Sequence, residues 1–395
     1  MSHSQKSLPK VAWVSPFPPQ RSGIAHYSHR LVQALRDQLA IDLYYDNEEP
    51  IADLRNTFQT YPLSALREQH KAYDEVIYHL GNNSLFHTEI YKLAWELPGT
   101  IVLHDYNISP FLHQAFSSGS DRQLYRDALV DDDGNEEPRG LQALIQKFIP
   151  VTSPLPMSAA IVNRSKKVIV HHRWVKNQFA RNSHIAVIPL FADISCRPTP
   201  EQIENFKKKF AIRANHFVLT CLGFVNWNKR PSLQVEVVKR LIDDGYPVQL
   251  VFAGEPAPDI QPLASEIRSG EYRNDIIFTG YLDEQQYFSA VFASDVIVNL
   301  RNPSMGEGSA TLMDALAAAK PTIISNLNQY KEFPDKVCWK LTHDKDEGAV
   351  LYAYLTTMLS DRNLRAAISS NSTEYVESVL CLEKIAARWK QVILS

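Results

Sequence analysis

The chain has 395 residues, of which 45% are hydrophobic and 22% are charged, and its formal net charge is -3. This length exceeds what one ordinary core supports and predicts two domains of roughly 190 residues each. The near-neutral charge argues against a nucleic-acid binder, which is usually strongly basic. Four scattered cysteines without a CxxC pair indicate free thiols instead of a disulfide framework or a zinc site.

The first ten residues, MSHSQKSLPK, are polar and lead directly into a strand, so we expect no signal peptide. No apolar run approaches the ~20 residues that span a bilayer. We therefore expect a cytoplasmic protein. Peripheral contact with the inner face of the membrane stays open, although no decisive basic amphipathic helix is present.

In the first half, short apolar runs alternate with helical patterns. The predicted strands are Val11–Phe17, Ile41–Tyr45, Glu75–Leu80, Thr100–His104, Lys167–His171 and Ala186–Leu190. Several are rich in Val and Ile without polar alternation, which is typical of parallel strands buried on both faces. An amphipathic helix, with Ile24, Tyr27 and Leu31 at helical spacing, separates the first two. Repeated strand and helix predict a doubly wound α/β domain.

The second half repeats this pattern. The predicted strands are Phe217–Phe224, Gln249–Phe252, Ile276–Thr279, Val296–Leu300 and Thr322–Ser325, and the predicted helices are Pro231–Asp244, Gln261–Ser269, Glu284–Ala293 and Ser309–Ala319. A proline-containing segment near Phe191–Pro200 marks the boundary between domains at 1–194 and 195–372. Residues 373–395 are predicted to be a helix that packs back on the N-terminal domain.

The segment of about 106–164 interrupts the alternation with several helical pieces and no convincing strand. A helical insertion beside a strand end is either an acceptor-binding element or a cap over the sheet. Its acidic run, Asp131–Glu137, is typical of a solvated turn and not of a metal site.

Ligands of doubly wound sheets bind beyond the carboxyl ends of the strands. After the first strand, Gly23 either lets a ligand approach a helix entrance closely or belongs to an ordinary turn. The loop is not GxGxxG, which argues against an NAD dehydrogenase. Asn82 follows the third strand, and His104 and Asp105 follow the fourth. His104 either bonds a sugar hydroxyl, with Asp105 orienting its ring, or is a structural histidine.

Two cations, Lys229 and Arg230, follow the first strand of the second half. They either neutralise a diphosphate leaving group or form a solvated pair.

The segment 300–317 is the most informative part of the sequence. Its candidate site residues are Arg301, Glu307, Gly308, Ser309, Ala310, Thr311 and Asp314. A Gly-Glu-Gly-Ser loop opens a helix whose first amides, at Ser309, Ala310 and Thr311, suit phosphate oxygens. Glu307 precedes the helix and can reach sugar hydroxyls, and Asp314 can reach a ribose. Together they predict a nucleotide-sugar site.

The chain resembles the retaining glycosyltransferases of family 4, and among them the bacterial branch that builds surface polysaccharides. The segments that carry the resemblance are PFPPQRSGIAHYS, YHLGNN, LHDYN, VIVHHRWVKNQF, VIPLF, GFVNWNKR, IIFTGYL and MGEGSATLMDALAAAKPTIIS. Their order and spacing cover essentially the whole chain. The resemblance implies the GT-B fold, which is two Rossmann-like doubly wound domains facing across a cleft.

The resemblance also implies a donor bound mainly by the C-terminal domain, an acceptor bound by the N-terminal one, and no metal or other cofactor. Gly23 would approach the diphosphate or the transferred sugar, and His104 would contact the sugar near its reacting end. Lys229, with Arg230, and the amides of 309–311 would hold the phosphates. Attack would occur on the front face of the sugar, with the leaving phosphate accepting the acceptor's proton.

Two departures from the family pattern stand out. The family usually has two glutamates with seven residues between them, whereas Glu307 and Asp314 enclose six and the second is aspartate. The arginine often found after the glycine of the first turn is Phe224 here. Arg301 is a candidate to supply the missing charge.

On family grounds the donor is a GDP- or UDP-linked hexose, with GDP-mannose preferred. The acceptor is a glycan or a lipid-linked glycan in polysaccharide or O-antigen-type synthesis. One alternative is a non-catalytic GT-B partner subunit, which Phe224 favours and the retained Glu307 and Lys229 oppose. The other is a different GT-B enzyme, such as a nucleotide-sugar epimerase or a phosphorylase, for which neither acid/base carboxylates nor a cofactor lysine is evident.

Overall fold

The computed structural model describes residues 8–133 and 155–395. Its contacts divide the chain into two compact units. The first comprises Met1–Leu190, Met305–Gly308 and Leu382–Ser395, and the second comprises Phe191–Ser304 and Ser309–Cys381. The sequence places the boundary after residue 194 and assigns 305–308 to the second domain, so the two divisions differ in the linker and in this loop.

The first unit is built on a parallel sheet of seven strands. They are β1 (Lys10–Val14), β2 (Ala40–Tyr45), β3 (Gln59–Pro62), β4 (Glu75–Leu80), β5 (Thr100–Leu103), β6 (Lys167–Val170) and β7 (Ile185–Val187). Their order is β3-β2-β1-β4-β5-β6-β7. The central strands are apolar and almost wholly buried, as strands covered on both faces must be. The sequence does not predict β3, which is an edge strand of four partly exposed residues.

Among the described residues of the first unit, eight helices precede the second unit in the chain. They are α1 (Gly23–Leu35), α2 (Ala52–Thr57), α3 (Leu66–Gln69), α4 (Ser84–Glu96), α5 (Ser109–Phe116), α6 (Arg122–Asp133), α7 (Ala159–Arg164) and α8 (Arg173–Lys176), with short 3-10 turns at Leu63–Ala65 and His70–Ala72. The predicted amphipathic helix is α1, which buries Tyr27 and Leu31 and is capped by the Ser22 hydroxyl.

Within the predicted insertion, α5, α6 and α7 bury side chains in the same core as β4 and β5. The acidic run is not simply a solvated turn, because Asp131–Asp133 form the end of α6. The Asp132 carboxylate accepts hydrogen bonds from the backbone amides of Met157 and Ala159. Residues 134–154, with the rest of the acidic run, lie outside the described residues.

A parallel sheet of six strands forms the second unit. They are β8 (Phe217–Leu222), β9 (Val248–Ala253), β10 (Ile276–Phe278), β11 (Val296–Asn299), β12 (Thr322–Ser325) and β13 (Cys338–Leu341). Their order is β10-β9-β8-β11-β12-β13. The sequence predicts every one of these strands except β13, which is again a short edge strand with two half-buried residues.

The second unit contains seven α-helices, four of which the sequence predicts within two residues at each end. They are α9 (Pro200–Lys209), α10 (Pro231–Asp243), α11 (Gln261–Ser269), α12 (Glu284–Ala293), α13 (Ala310–Ala317), α14 (Glu347–Ser360) and α15 (Arg362–Tyr375), with 3-10 turns at Trp227–Lys229, Glu271–Asn274 and Asn328–Glu332. No helix in the described ranges combines the length and the apolar character needed to cross a bilayer.

The C-terminal stretch is not one helix from residue 373 onward. A π-helical turn, Val376–Leu380, extends α15, and the backbone is extended at Cys381 before the last helix, α16 (Leu382–Leu394). Only α16 belongs to the first unit, where its Trp389 is fully buried against Trp13.

Candidate active site

Three buried histidines form a hydrogen-bonded chain at the carboxyl end of the first sheet. His79 lies at the end of β4, His104 directly follows β5, and His171 directly follows β6. Since these three strands are parallel neighbours, the rings meet at one edge of the sheet. His79 Nδ1 lies 2.9 Å from His104 Nε2, and His104 Nδ1 lies 3.0 Å from His171 Nε2. We call these residues the histidine chain.

A single backbone carbonyl sets the tautomer of every ring in the histidine chain. His171 Nδ1 lies 2.9 Å from the carbonyl oxygen of Ile188, which can only accept a hydrogen bond, so this nitrogen carries the proton. Burial lowers the pKa of His171 to about 4, so the ring is neutral at pH 7 and its Nε2 accepts. His104 therefore donates through Nδ1 and accepts at Nε2 from His79.

This arrangement corrects the predicted role of His104. Both of its ring nitrogens bond to other histidines, so neither is left to bond a sugar hydroxyl. Asp105 does not orient the ring either, because its Oδ2 atom accepts a hydrogen bond from the backbone amide of Asn82 at 2.8 Å. The side-chain oxygen of Asn82 in turn accepts from the amide of Phe111 at the start of α5. The sequence misses His79 and His171, although a histidine ends two of the predicted strands and is next to last in a third.

The loop that bears Glu307 is fixed by residues that follow β5. The amide of Gly308 donates to the carbonyl of His104 at 3.0 Å, and the amide of Asn107 donates to the carbonyl of Met305 at 2.8 Å. One Glu307 oxygen accepts from the amide of Met305 at 2.6 Å.

Two glycines of this loop have no room for a side chain. Gly306 has a φ of +70°, and a Cβ atom there would lie 2.5 Å from Tyr106 Cβ. A Cβ atom at Gly308 would lie 2.7 Å from Leu190 Cδ1. The Gly-Glu-Gly pattern is therefore required by close packing, which holds Glu307 at a fixed position in the first unit.

The predicted candidates Asp105 and Gly23 have different surroundings. Burial, and then the charge of Glu307, raise the pKa of Asp105 to about 7.

Gly23 is the first residue of α1, and a Cβ atom there would meet no protein atom within 4 Å. The surrounding protein thus imposes no glycine at position 23, and its predicted contact with the donor stays a prediction.

Lys229 lies in the 3-10 turn after β8 and is buried, with an exposed fraction of 4%. Its Nζ donates to the carbonyl of Leu222. Burial, and then the charge of Arg301, lower its pKa to about 7. Within the described part of the chain, no carboxylate forms an ion pair with this lysine, so it is not half of a solvated pair.

Arg230 does not accompany Lys229, which corrects the prediction that the two act together. Its backbone is left-handed, with a φ of 58°. Its guanidinium forms an ion pair with Glu347 and lies 2.7 Å from His343 Nδ1. The second cation beside Lys229 is instead Arg301, which is 8% exposed and donates to the carbonyl of Leu300.

The start of α13 is organised by a residue that the sequence reasoning misses. Ser309 is the N-cap, and its hydroxyl accepts from the amide of Leu312. Asn299, the last residue of β11, donates to the Ser309 hydroxyl at 3.3 Å and accepts from the Thr311 hydroxyl at 3.1 Å. The sequence feature that could have identified Asn299 is its position, because it is a polar residue at the end of the otherwise apolar strand VIVN.

The glycine after β8 brings Lys229 and the start of α13 together. Gly223 has a φ of +74°, and a Cβ atom there would lie 3.0 Å from Thr311 Cγ2 and 3.2 Å from Lys229 Nζ. The second unit therefore gathers two buried cations and a helix N-terminus, a combination that suits a polyanion. We call Lys229, Arg301 and the amides of 309–311 the cationic group.

Asp314 lies on α13 and is positioned by a half-buried tyrosine. The hydroxyl of Tyr287, on α12, donates to Asp314 Oδ2 at 2.8 Å. Burial, and then the charge of Asp314, raise the pKa of Tyr287, so the phenol stays a donor. In the described residues, no three His, Cys, Asp or Glu side chains are grouped so that they could hold a metal ion.

A known protein family matches part of the chain in sequence. Residues 202–375 match the family model described as glycosyl transferases group 1. Apart from Met305–Gly308, these residues lie in the second unit, and over this part the chain is similar to that group of glycosyltransferases. Enzymes of the group are retaining hexosyltransferases that use a nucleotide-sugar donor. None of the curated proteins matches the chain in sequence.

Solved structures confirm the predicted fold. HepE from Anabaena, solved with UDP, aligns with a TM-score of 0.68 at 14% identity, covering 98% of this chain and 100% of that one. A glycosyltransferase from Rickettsia africae aligns with a TM-score of 0.67 at 13% identity, covering 98% and 99%. Sucrose-phosphate synthase from Thermosynechococcus elongatus aligns with a TM-score of 0.65 at 15% identity, covering 97% and 98%. Two parallel sheets of six and seven strands match GT-B structures, as the sequence predicts.

Proposed function

We propose that this protein is a glycosyltransferase that moves a hexose from a UDP-linked donor to a glycan or lipid-linked glycan acceptor, in surface polysaccharide or O-antigen-type synthesis. The observation that supports the proposal most is the cationic group of the second unit. Within this group Lys229 is buried, and no carboxylate of the described residues forms an ion pair with it. A buried positive charge costs free energy unless a negative partner accompanies it. A nucleoside diphosphate supplies that partner.

The cationic group fits the electrostatic demand of the reaction. As the bond between sugar and phosphate breaks, negative charge develops on the leaving diphosphate. Lys229 and Arg301, in a site where water is already largely excluded, stabilise that charge more strongly than they would in solvent. The amides at the start of α13 add hydrogen bonds to the same oxygens. In this proposal Asp314 binds the ribose and Glu307 binds hydroxyls of the transferred sugar.

The histidine chain supports a reaction without an enzymic base near the donor. A neutral His104 with both nitrogens engaged has no lone pair to take the acceptor's proton. In the front-face mechanism that the family resemblance implies, the leaving phosphate takes that proton. His104 then contributes through its backbone carbonyl, which holds the loop of Glu307.

The choice of UDP-glucose as the first donor to test comes from a structural neighbour. HepE from Anabaena has been solved with UDP-glucose as well as with UDP. GDP-mannose, which the sequence resemblance favours, is the second donor to test. We further propose that the protein works in the cytoplasm, since its four cysteines are all free thiols.

A thermal-shift panel tests the donor proposal. UDP, GDP, ADP and their hexose conjugates are added in turn, and the matching donor should raise the melting temperature, since it binds only the folded state. We expect UDP and UDP-glucose to give the largest shifts. A panel in which no nucleotide shifts the melting temperature would contradict the proposal. Donor binding without any sugar release, with every acceptor tried, would favour the non-catalytic partner subunit.

A further inference from the structure

We propose that His171 is a positioning residue, which holds the loop of Glu307 in place through His104. The proposal rests on the proposed function, because it takes Glu307 to be the group that contacts the donor sugar. The contacts that link His171 to the loop of Glu307 lie within the first unit.

The first link joins His171 to the ring of His104. Ile188 fixes the proton of His171 on Nδ1, so Nε2 presents a lone pair to His104 Nδ1 at 3.0 Å. His104 is itself buried, with an exposed fraction of 7%. Loss of this acceptor would leave the Nδ1–H group of His104 unpaired in an apolar site, which a buried ring avoids by turning or by changing tautomer.

The second link joins His104 and His171 to the loop itself. The His104 carbonyl accepts from the Gly308 amide at 3.0 Å. The His171 ring also lies beside the loop, because a Cβ atom built at Gly308 would lie 3.4 Å from His171 Cδ2. Movement of either ring therefore changes the position of the residue that follows Glu307.

The third observation is that the ring protons of the histidine chain are fixed only at its His171 end. The His79 ring stacks at 9° on Trp389, with centroids 6.0 Å apart, and packs against Trp13. Its Nε2 atom has no hydrogen-bond partner among the described residues. Apolar packing holds the His79 ring but gives neither nitrogen a preferred proton, so the carbonyl at the His171 end decides the tautomers.

Two substitutions at position 171 distinguish the loss of the hydrogen bond to His104 from a change in side-chain size. In His171→Asn the side-chain amide replaces Nδ1 and can still donate to Ile188, but nothing replaces Nε2. In His171→Gln the side-chain oxygen reaches the place of Nε2 and accepts from His104. We expect His171→Asn to lower kcat/KM for the donor about tenfold, the effect of one lost buried hydrogen bond. His171→Gln should stay within about threefold of the wild type.

Hydrogen exchange at Gly308 gives a readout that does not depend on activity. Mass spectrometry of the full chain should show that the Gly308 amide exchanges at least tenfold faster in His171→Asn, and at a near wild-type rate in His171→Gln. His172→Asn is the control, because His172 is an adjacent buried histidine that is not part of the histidine chain. This substitution should leave the exchange rate of the Gly308 amide unchanged.

The outcomes are distinguishable. Equal losses of kcat/KM in the Asn and Gln variants, or unchanged exchange at Gly308 in His171→Asn, would overturn the positioning role. If the wild type transfers no sugar, the proposed function fails, and the exchange rates at Gly308 still decide whether His171 holds the loop.

Discussion

Lys229 is a cation at a site where burial disfavours the charge. Its pKa is lowered to about 7, whereas an unfolded lysine titrates near 10.4. Below about pH 7 the buried ammonium therefore lowers stability, and this cost is relieved as pH rises from about 7 to 10. A residue that destabilises the fold and faces a helix N-terminus is explained by a ligand that needs its charge.

We expect Lys229→Met to bind nucleoside diphosphate at least tenfold more weakly, since hydrogen bonds to charged groups contribute about 1.5–3 kcal/mol. We also expect its melting temperature at pH 6 to be at least that of the wild type, because the buried charge is gone. Calorimetry measures both quantities. Lys320→Met is the control: this half-buried lysine donates to the carbonyls of Phe292 and Ser294, so its loss should lower stability and leave donor binding intact. A Lys229→Met protein with unchanged affinity would contradict the assignment.

The affinity for UDP-glucose should fall as pH rises through about 7, because Lys229 loses its proton there. UDP-glucose suits this experiment because its diphosphate does not titrate near neutral pH. Titration calorimetry from pH 6 to 9 should show the fall in the wild type and a flatter profile in Lys229→Met. Parallel profiles in the two proteins would show that another group controls the pH dependence.

Asp105 is an acid at a site where burial disfavours the negative charge. Burial, and then Glu307, raise its pKa to about 7, so its ionisation lowers stability as pH rises from about 4 to 7. Asp105→Asn keeps an oxygen for the amide of Asn82. We expect equal melting temperatures at pH 4 and a higher one for the variant at pH 8. A variant that is less stable at pH 8 would mean that the charged carboxylate stabilises the fold.

The residue types of the site could be predicted from the sequence, but their partners could not. The sequence predicts Lys229, Glu307 and Asp314 as site residues from their positions after strands or on a helix, and their roles stay predictions. The pairing of Arg230 with Glu347 and the engagement of His104 by two histidines depend on residues more than 20 positions away in the chain. Periodicity in a single sequence contains no information on such contacts.

At the scale of elements, the glycines of the Glu307 loop give a sharp prediction. Gly306→Ala combines a left-handed backbone, which costs about 1–2 kcal/mol, with a contact 2.5 Å from Tyr106 Cβ. We expect it to lose most transfer activity. Gly119→Ala is the matched control in the same unit, because Gly119 has a φ of +87° and open space around it. Activity assays and melting curves of both variants decide the matter. If both lose activity equally, the loop packing has no special role.

The two strands that the sequence does not predict share a physical reason. Buried central strands have the unbroken apolar runs that periodicity detects. The edge strands β3 and β13 are four residues long and partly exposed, so their composition resembles that of a loop. The interruption at Cys381 is a backbone feature without a glycine or proline to signal it.

For the whole molecule, length and the repeated strand–helix pattern suffice to predict two α/β units. These features do not predict that Met305–Gly308 belongs to the first unit. The sequence does predict that residues 373–395 pack on the first domain, and the structure assigns Leu382–Ser395 to the first unit. Those assignments follow from packing, such as the burial of Trp389 against Trp13 and the bond between Gly308 and His104. Packing of this kind joins segments far apart in sequence, which no local pattern encodes.

Every role proposed for the site requires sugar transfer from a nucleotide donor held by the cationic group. The most direct measurement is proton NMR of the wild type and Lys229→Met incubated with UDP-glucose, with water or a glycan as acceptor. We predict release of UDP by the wild type, with the α-anomer of glucose formed first, and near-complete loss of release in Lys229→Met. The proposed function is contradicted if no UDP-, GDP- or ADP-linked hexose is cleaved, or if Lys229→Met cleaves its donor as fast as the wild type.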